Sequence, residues 1–252
     1  MIIGKNTYIS PKAKIIGYKT DTPKIIIGDN SYIGDDVQII CDDFYLGDYC
    51  KLHHHTNVHG SKIHIGHNAW VGQYSIIDGL GTTIIGDNCG IGAHSQLWSH
   101  IKYGDVLEGC RFLSESPLLV GNDVWFVGHC IVSPITAKDK SMALVGSVIT
   151  KDMDYNNIYA GSPAKNITDK AGTQFKDISN DEKYKKLNNL LDSFGNSDLI
   201  KIVMDESEIL DNEISYFCIS TRKYTKRLSN NEIAFMKYLL PDKAKFTPLD
   251  IK

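Results

Sequence analysis

Aliphatic residues recur every six positions through the first two-thirds of this chain, usually followed by glycine, two polar residues and a small residue. The clearest units begin at Ile27, Leu46, Ile65 and Ile85, at intervals of 19, 19 and 20 residues. Three units make about 18 residues, so each interval is one triangular coil with a bulge of one or two residues. The period predicts short strands with inward aliphatic residues and stacked small residues, and Gly or Asn in left-handed corners.

The repeat divides the chain into two parts. It extends over residues 1–168, with interruptions at 17–24 and 98–119, and the sequence then becomes polar. Insertions in a solenoid collect on one face, which is often the binding face. We therefore expect a mainly β domain over residues 1–168 and a separate small domain over residues 169–252.

The second part has the pattern of an α+β fold. Ser179 and Ser229 each begin a capping-box sequence, and apolar residues follow both at helical spacing. Residues 200–204 and 214–219 have the composition of strands. Two helices and at least two strands are therefore predicted for this domain.

Composition narrows the class of protein. The 252 residues carry a net charge of −3, so the chain has no global electrostatic footprint for nucleic acid. No apolar run approaches the roughly 18 residues of a membrane span, and the repeat begins at the first residues, where no signal peptide is recognisable. Scattered cysteines, most of them inside repeats, predict buried, reduced thiols in a cytoplasmic protein; they are Cys41, Cys50, Cys89, Cys110, Cys130 and Cys218.

An ordered set of motifs carries a family resemblance. A histidine-bearing interruption is followed by Val-Gly-Asn-Asp-Val-Trp at 120–125, Gly-Ser-Val-Ile-Thr-Lys-Asp at 146–152 and Ala-Gly-Ser-Pro-Ala-Lys at 160–165. Residues 1–168 thereby resemble the hexapeptide-repeat acyltransferases, and most resemble the sugar O-acetyltransferases of surface polysaccharide biosynthesis. The resemblance implies a left-handed parallel β-helix, acetyl-CoA as co-substrate with no metal, a sugar or glycan acceptor, and a homotrimer with active sites between subunits.

His100 is the candidate catalytic residue. A sugar hydroxyl is a poor nucleophile until its proton is leaving, and histidine is the side chain suited to take that proton near neutral pH. His100 stands at the start of the 98–119 interruption, in the context of the family's catalytic histidine. The alternative is a histidine on the surface of a loop.

Three residues are candidates for acceptor binding. Asp78 stands one coil before His100, where similar enzymes use an aspartate on acceptor hydroxyls, and its carboxylate could also orient the base. An Asp-Gly pair is equally typical of a turn. Tyr74 and Trp98 could stack on a sugar ring, although isolated aromatic residues more often pack within the protein.

The resemblance also implies a set of cofactor contacts. The pantetheine arm of CoA would lie between neighbouring coils, and Lys165 of the exit motif would meet the nucleotide phosphates. The glycines could instead be corner residues and the lysines solvated charges. The candidate residues are Gly128, Val145, Gly146, Thr150, Lys151 and Lys165.

Other functions remain open at this stage. Within acyl transfer, the alternative is N-acylation of an amino sugar, either free or nucleotide-linked. The histidine-rich stretch that begins at His53-His54-His55 suggests a metal enzyme similar to the gamma-class carbonic anhydrases, or side chains of the acceptor cleft. In the second domain, Arg222, Lys223, Lys226 and Arg227 could bind an anionic glycan or form a solvated strand edge. The domain would then be a docking module for a polymer or a partner enzyme.

Overall fold

The computed structural model describes residues 1–210 and 213–249. Its internal contacts divide the chain into two compact units, Met1–Phe175 and Lys176–Lys252. The first unit contains the repeat, and the second contains most of the helical residues. None of the helices in the part of the chain described is long and apolar enough to cross a lipid bilayer.

Short strands make up the first unit. Before the long interruption they are β1 (Ile2–Ile3), β2 (Tyr8–Ile9), β3 (Lys14–Ile16), β4 (Lys24–Ile27), β5 (Tyr32–Ile33), β6 (Gln38–Leu46), β7 (Lys51–Leu52), β8 (Asn57–Ile65), β9 (Trp70–Val71), β10 (Ile76–Gly79), β11 (Thr83–Ile85), β12 (Gly90–Ile91) and β13 (Gln96–Leu97). From there they are β14 (His100–Lys102), β15 (Leu113–Glu115), β16 (Leu118–Val120), β17 (Trp125–Phe126), β18 (Ile131–Val132), β19 (Thr136–Ala137), β20 (Met142–Ala143), β21 (Val148–Ile149), β22 (Ile158–Gly161) and β23 (Ala164–Asn166), followed by helix α1 (Thr168–Ala171).

The coils stack these strands into three parallel faces. Face one contains β3, β10, β13, β18 and β21 with the first halves of β6 and β8. Face two contains β1, β4, β11, β16 and β19 with the second halves of β6 and β8, which bend through a corner and so join both faces in one 12-stranded sheet. Face three is the nine-stranded sheet from β2 to β23. The predicted fold class, a mainly β, left-handed parallel β-helix with a small α+β appendage, is confirmed.

The repeat places its apolar residues as predicted. The aliphatic residues that open the units, such as Ile27, Leu46, Ile65 and Ile85, are at most 4% exposed and belong to one continuous core. The small residues four positions later, such as Cys50 and Ala69, are also buried. Burial of one aliphatic side chain contributes about 1.5–3 kcal/mol. Because successive coils each bury such residues, the hydrophobic stabilisation is distributed along the helix axis.

The corners correct one detail of the prediction. The glycine of a unit does not take the left-handed conformation; the residue two positions later does, with φ of 56° at Asn30 and 59° at Asn68. The glycine is needed because the next coil lies too close: a Cβ on Gly28 would stand 2.5 Å from the carbonyl carbon of Gly47. Close backbone approach, rather than positive φ, therefore explains the glycine of these units.

The second unit is an α+β domain. It contains helices α2 (Asn180–Phe194) and α3 (Asn230–Leu239), a 3₁₀ turn (Glu206–Glu208), and strands β24 (Ile200–Val203), β25 (Ser215–Cys218), β26 (Lys223–Tyr224) and β27 (Thr247–Pro248) in one four-stranded sheet. Only half of each predicted capping box forms. Ser179 and Ser229 accept the N–H groups of Glu182 and Glu232, but the Glu232 carboxylate instead accepts from Ser215 and from the N–H groups of residues 227 and 228.

The basic cluster of this domain is partly used internally. The Arg222 guanidinium lies 4.3 Å from the centre of the Phe246 ring and donates to the Lys245 carbonyl at 2.6 Å. Tyr224, in the middle of the cluster, is fully buried. Arg222 therefore packs within the domain, and glycan docking by this cluster stays a prediction.

Candidate active site

Face one carries a column of side chains that alternates with the buried aliphatic ones. His59 and Asp78 are paired in register on β8 and β10, and Trp98 follows β13 at the next level. Ser133 and Thr150 continue the same position after β18 and β21. Stacking of the coils brings these residues together, although neighbours in the column are 17 to 35 positions apart in the sequence.

The 98–119 interruption begins beside this column. Its strands β14 and β15 form an antiparallel hairpin in which His100 pairs with Glu115. The hairpin tip exposes large apolar side chains, among them Tyr103, Leu107 and Phe112. His100 is therefore the first residue of an arm that leaves the coil at the level of Trp98.

His100 turns back onto Asp78. Its Nδ1 lies 2.8 Å from Asp78 Oδ2, and the side chains are 18% and 0% exposed. An ionised carboxylate accepts hydrogen bonds only, so this contact places the proton on Nδ1 and leaves the lone pair on Nε2. An oriented imidazole with a free Nε2 can accept a proton from a bound hydroxyl.

Asp78 lies in β10 and is fully buried, so it is not the turn residue that its Asp-Gly sequence also suggested. Its Oδ2 accepts from the Ser99 N–H at 2.9 Å and from Ser99 Oγ at 2.5 Å, in addition to His100. A buried carboxylate is stabilised by such donors. Within the protein Asp78 orients the histidine, and acceptor binding by Asp78 stays a prediction. Ser99 was not predicted, because nothing in a lone Ser-His pair marks it.

The two predicted aromatic residues have different positions. The Trp98 ring lies edge-on to His100, with centroids 6.0 Å apart. Tyr74 lies at the corner before β10, at φ 58°, and stacks between His55 and His94 at 4.8 and 5.1 Å. The structure thus brings Trp98 together with His100, whereas Tyr74 belongs to a separate stack of rings.

The sequence pattern did not predict this stack of rings, which contains His55, Tyr74 and His94. It continues from His94 to His129 at 4.8 Å, and the equivalent position of the next coil is Gly146. His129 therefore lies beside two of the predicted cofactor residues, Gly128 and Gly146, whose backbones are joined by a hydrogen bond of 2.9 Å. Coil-to-coil spacing is the signal that could have found it, once the 35-residue interval across the interruption is known.

Four of the six predicted cofactor residues lie at the two ends of β21. Val145, which is 66% exposed, and Gly146 precede this strand, while Thr150 and Lys151 follow it. Lys165 is exposed on β23, in the hairpin with β22. The six residues are therefore spread over the C-terminal coils of the first unit, and no contact in the described residues joins all of them.

The histidine run at 53–55 has mixed surroundings. His53 contacts the Trp70 ring at 5.0 Å, and burial, followed by the charges of Lys51 and His54, lowers its pKa. His54 and His55 are exposed at the corner beside Tyr74. Across residues 1–210 and 213–249, no group of three or more His, Cys, Asp or Glu side chains is arranged to hold a metal ion.

Comparisons with known proteins add sequence relatives. Galactoside O-acetyltransferase of Escherichia coli is 34% identical over 113 residues, which are 43% of this chain and 55% of that protein. A putative acetyltransferase of Saccharomyces cerevisiae is 30% identical over 122 residues, 46% of this chain and 61% of that protein. The chain thus spans somewhat more than half the length of these relatives. No family profile matches it.

Solved structures of low identity are also similar. AntD, an N-acyltransferase from Bacillus cereus crystallised as a mutant with dTDP and coenzyme A, has a TM-score of 0.49 at 19% identity, over 76% of this chain and 91% of that one. The polySia-specific acetyltransferase NeuO has a TM-score of 0.43 at 17% identity, over 66% and 77%. The sequence relatives confirm the predicted resemblance to the hexapeptide-repeat acyltransferases.

Proposed function

We propose that this relative of the hexapeptide-repeat acyltransferases transfers an acetyl group from acetyl-CoA to a sugar hydroxyl, with His100 as general base. The observation that carries the proposal is the 2.8 Å contact between His100 Nδ1 and the buried Asp78 Oδ2. It fixes the ring and leaves Nε2 able to accept a proton, which is what activation of a hydroxyl requires.

The reaction proceeds by direct transfer. His100 Nε2 takes the hydroxyl proton while the acceptor oxygen forms a bond to the thioester carbonyl carbon. The carbon–sulfur bond then breaks, and the imidazolium returns the proton to the leaving thiolate of CoA. The Asp78 charge stabilises the imidazolium between these two steps. Proton transfer to a positioned general base typically increases the reaction rate by about 10²–10⁴-fold.

The co-substrate occupies the C-terminal side of His100. Thr150 stands in the same column as Asp78, and Gly128 and Gly146 lie at the other end of face one on neighbouring coils. An extended pantetheine arm would pass along these coils and would meet mainly backbone groups. Lys165 then meets the phosphates as a point charge.

Three further properties belong to this proposal. The acceptor is part of a surface glycan or its precursor, and the enzyme works in the cytoplasm, where its six free thiols stay reduced. The chain assembles as a homotrimer, which would bury apolar side chains exposed on the flat faces of the β-helix, such as Leu119 at 40% and Ile131 at 42%. Light scattering of the purified chain tests the assembly.

A product screen tests the activity. Acetyl-CoA consumption is measured against nucleotide sugars, free sugars, amino sugars and capsule-type oligosaccharides, and the product is identified by mass spectrometry. His100→Ala should reduce turnover by about 10²–10⁴-fold. His64→Ala is the matched control, because His64 is a histidine of the same β-helix that pairs with Asp43 on face two. Near-normal turnover of His100→Ala would contradict the assignment, and an amide product would favour the amino-sugar alternative.

A further inference from the structure

His59 is a second histidine on the Asp78 carboxylate. It lies on β8, paired in register with Asp78 on the next coil. Its Nε2 is 3.3 Å from Asp78 Oδ1, and its side chain is 30% exposed. One buried carboxylate therefore has an imidazole beside each of its two oxygens.

The two oxygens of Asp78 are unequally satisfied. Oδ2 accepts three contacts, two from Ser99 and one from His100. Oδ1 is buried and has no hydrogen-bond partner within residues 1–210 and 213–249, and His59 Nε2 lies 3.3 Å from it. A buried carboxylate oxygen without a donor is unfavourable, because it has lost its hydrogen bonds to water. In the described residues, the ion pairs of Asp78 are those with His59 and His100.

We propose that His59 is a positioning residue that donates its Nε2–H to Asp78 Oδ1 and acts through Asp78 on His100. With Oδ1 held from one side, the carboxylate plane is fixed and Oδ2 stays directed at Ser99 and His100. The inference deepens the proposed function and rests on it for its kinetic consequence. Its structural part, a hydrogen bond to Oδ1, can be tested without any activity.

The geometry requires opposite tautomers in the two rings. His100 presents Nδ1 to the carboxylate and must carry its proton there, whereas His59 presents Nε2 and must carry its proton on that nitrogen. The tautomer of a histidine is set by the hydrogen bond that one of its nitrogens makes. A single aspartate thus determines the proton position in both imidazoles.

Nuclear magnetic resonance tests the tautomers directly. Long-range ¹H–¹⁵N correlation on ¹⁵N-histidine protein should show His59 protonated on Nε2 and His100 protonated on Nδ1, with signals assigned from His59→Gln and His100→Gln. Asp78→Asn should shift the ring signals of both histidines. A His59 ring with an unprotonated Nε2, or one whose signals ignore Asp78→Asn, would overturn the proposal.

Kinetics separates positioning from acceptor binding. His59→Leu should lower kcat about tenfold and leave both KM values within about twofold of wild type. A less well oriented carboxylate reduces stabilisation of the transition state but does not change binding of the substrates in the ground state. His59→Gln, whose amide can still donate near the Nε2 position, should restore kcat to within about threefold of wild type. A raised acceptor KM with unchanged kcat would overturn the positioning role and make His59 an acceptor contact.

The same strand supplies the control. His64 on β8 pairs with Asp43 at 3.1 Å, and its side chain is likewise 30% exposed. His64→Leu removes an equivalent histidine–aspartate contact away from the column and should leave kcat and the His100 signals unchanged. If wild type transfers no acetyl group to any acceptor, the proposed function fails, while the resonance experiment still decides whether His59 holds Asp78.

Discussion

At the residue scale, the charge of Asp78 can be removed with almost no change in its shape. Asp78→Asn keeps the volume of a fully buried side chain, but its amide no longer accepts through both terminal atoms and can favour the wrong tautomer of His100. We expect kcat to fall by about 10³-fold or more, with the fold retained. The measurement is the initial rate with the acceptor found by the screen, together with circular dichroism.

A matched control for this prediction is Asp43→Asn. Asp43 also contacts a histidine, His64, but its side chain is 31% exposed and lies on face two. Its rate should stay within about twofold of wild type, because Asp43 contacts His64 and lies outside the column that contains Asp78. An Asp78→Asn enzyme with more than a tenth of the wild-type rate would show that Asp78 does not orient the base.

The cysteines give a second residue-scale prediction. Burial raises the pKa of Cys41 to about 11 and that of Cys50 further, and Cys89, Cys130 and Cys218 are also buried. Cys110, on the hairpin, is the most exposed of the six. The thiolate is the reactive form, so near pH 8 a thiol reagent should modify about one cysteine per native chain.

Intact mass after labelling measures this stoichiometry. Cys110→Ser should abolish the fast labelling, and full unfolding should release all six thiols. Rapid modification of a second cysteine in the native protein would mean that an inward position of the coils, or Cys218 on β25, is open to solvent.

At the element scale, one corner of the β-helix is joined by side-chain acceptors from coil to coil. The side chain at this position accepts the backbone N–H of the preceding coil; the acceptors are Asp29, Asp48, His67, Asp87, Asn122 and Asp139. His67 is the exception in residue type. Its Nδ1 accepts from the Asp48 N–H at 2.9 Å, so its proton must be on Nε2.

Substitution of His67 tests this corner. His67→Ala leaves the N–H of Asp48, a residue that is 4% exposed, without its acceptor, and should lower the free energy of unfolding by about 1–3 kcal/mol. His67→Asn supplies an amide oxygen, as Asn122 does two coils later, and should recover most of that loss. Urea denaturation measures both; equal stability of the two variants would show that the corner acceptor contributes nothing at this coil.

The sequence pattern predicted the structural elements of the β-helix well, for a physical reason. A six-residue period fixes which residues point inward, so the coils, the core and the interruption at 98–119 follow from the pattern itself. The pattern cannot give contacts that depend on where the chain re-enters after the interruption. For this reason His129 was missed, and Tyr74 was grouped with Trp98 although it stacks at another corner.

The candidate site was predicted in the same uneven way. His100 and Asp78 were chosen from motif context, and the structure brings them to 2.8 Å. His59 and Ser99 carry no motif, and only the register of β8 with β10 and the return of the hairpin bring them to Asp78. Register between coils is a tertiary property, so residue types and spacing do not contain it directly.

At the scale of the whole molecule, the connection between the two units can be located from its hydrogen bonds. Asn156 holds the backbone of Phe175 through two contacts of 2.9 Å, one to its N–H and one to its carbonyl. α1 is tied to β22 by the bond from the Ile158 N–H to Thr168 Oγ1 at 2.9 Å. Residues 176–179 have no strand or helix and are exposed, and the compact first unit extends to Phe175. The domain boundary at residue 168 stays a prediction.

Limited proteolysis tests this boundary, because proteases cut exposed segments that can open locally. Brief treatment with proteinase K should cut between residues 176 and 179, apart from cuts in the exposed hairpin tip, and intact mass identifies the ends. Asn156→Gly removes the amide but accepts the φ of 56° at this position, so it should extend cutting into residues 172–175. First cuts within residues 168–171 would place the boundary at the end of the last coil and would show that α1 is not held by β22.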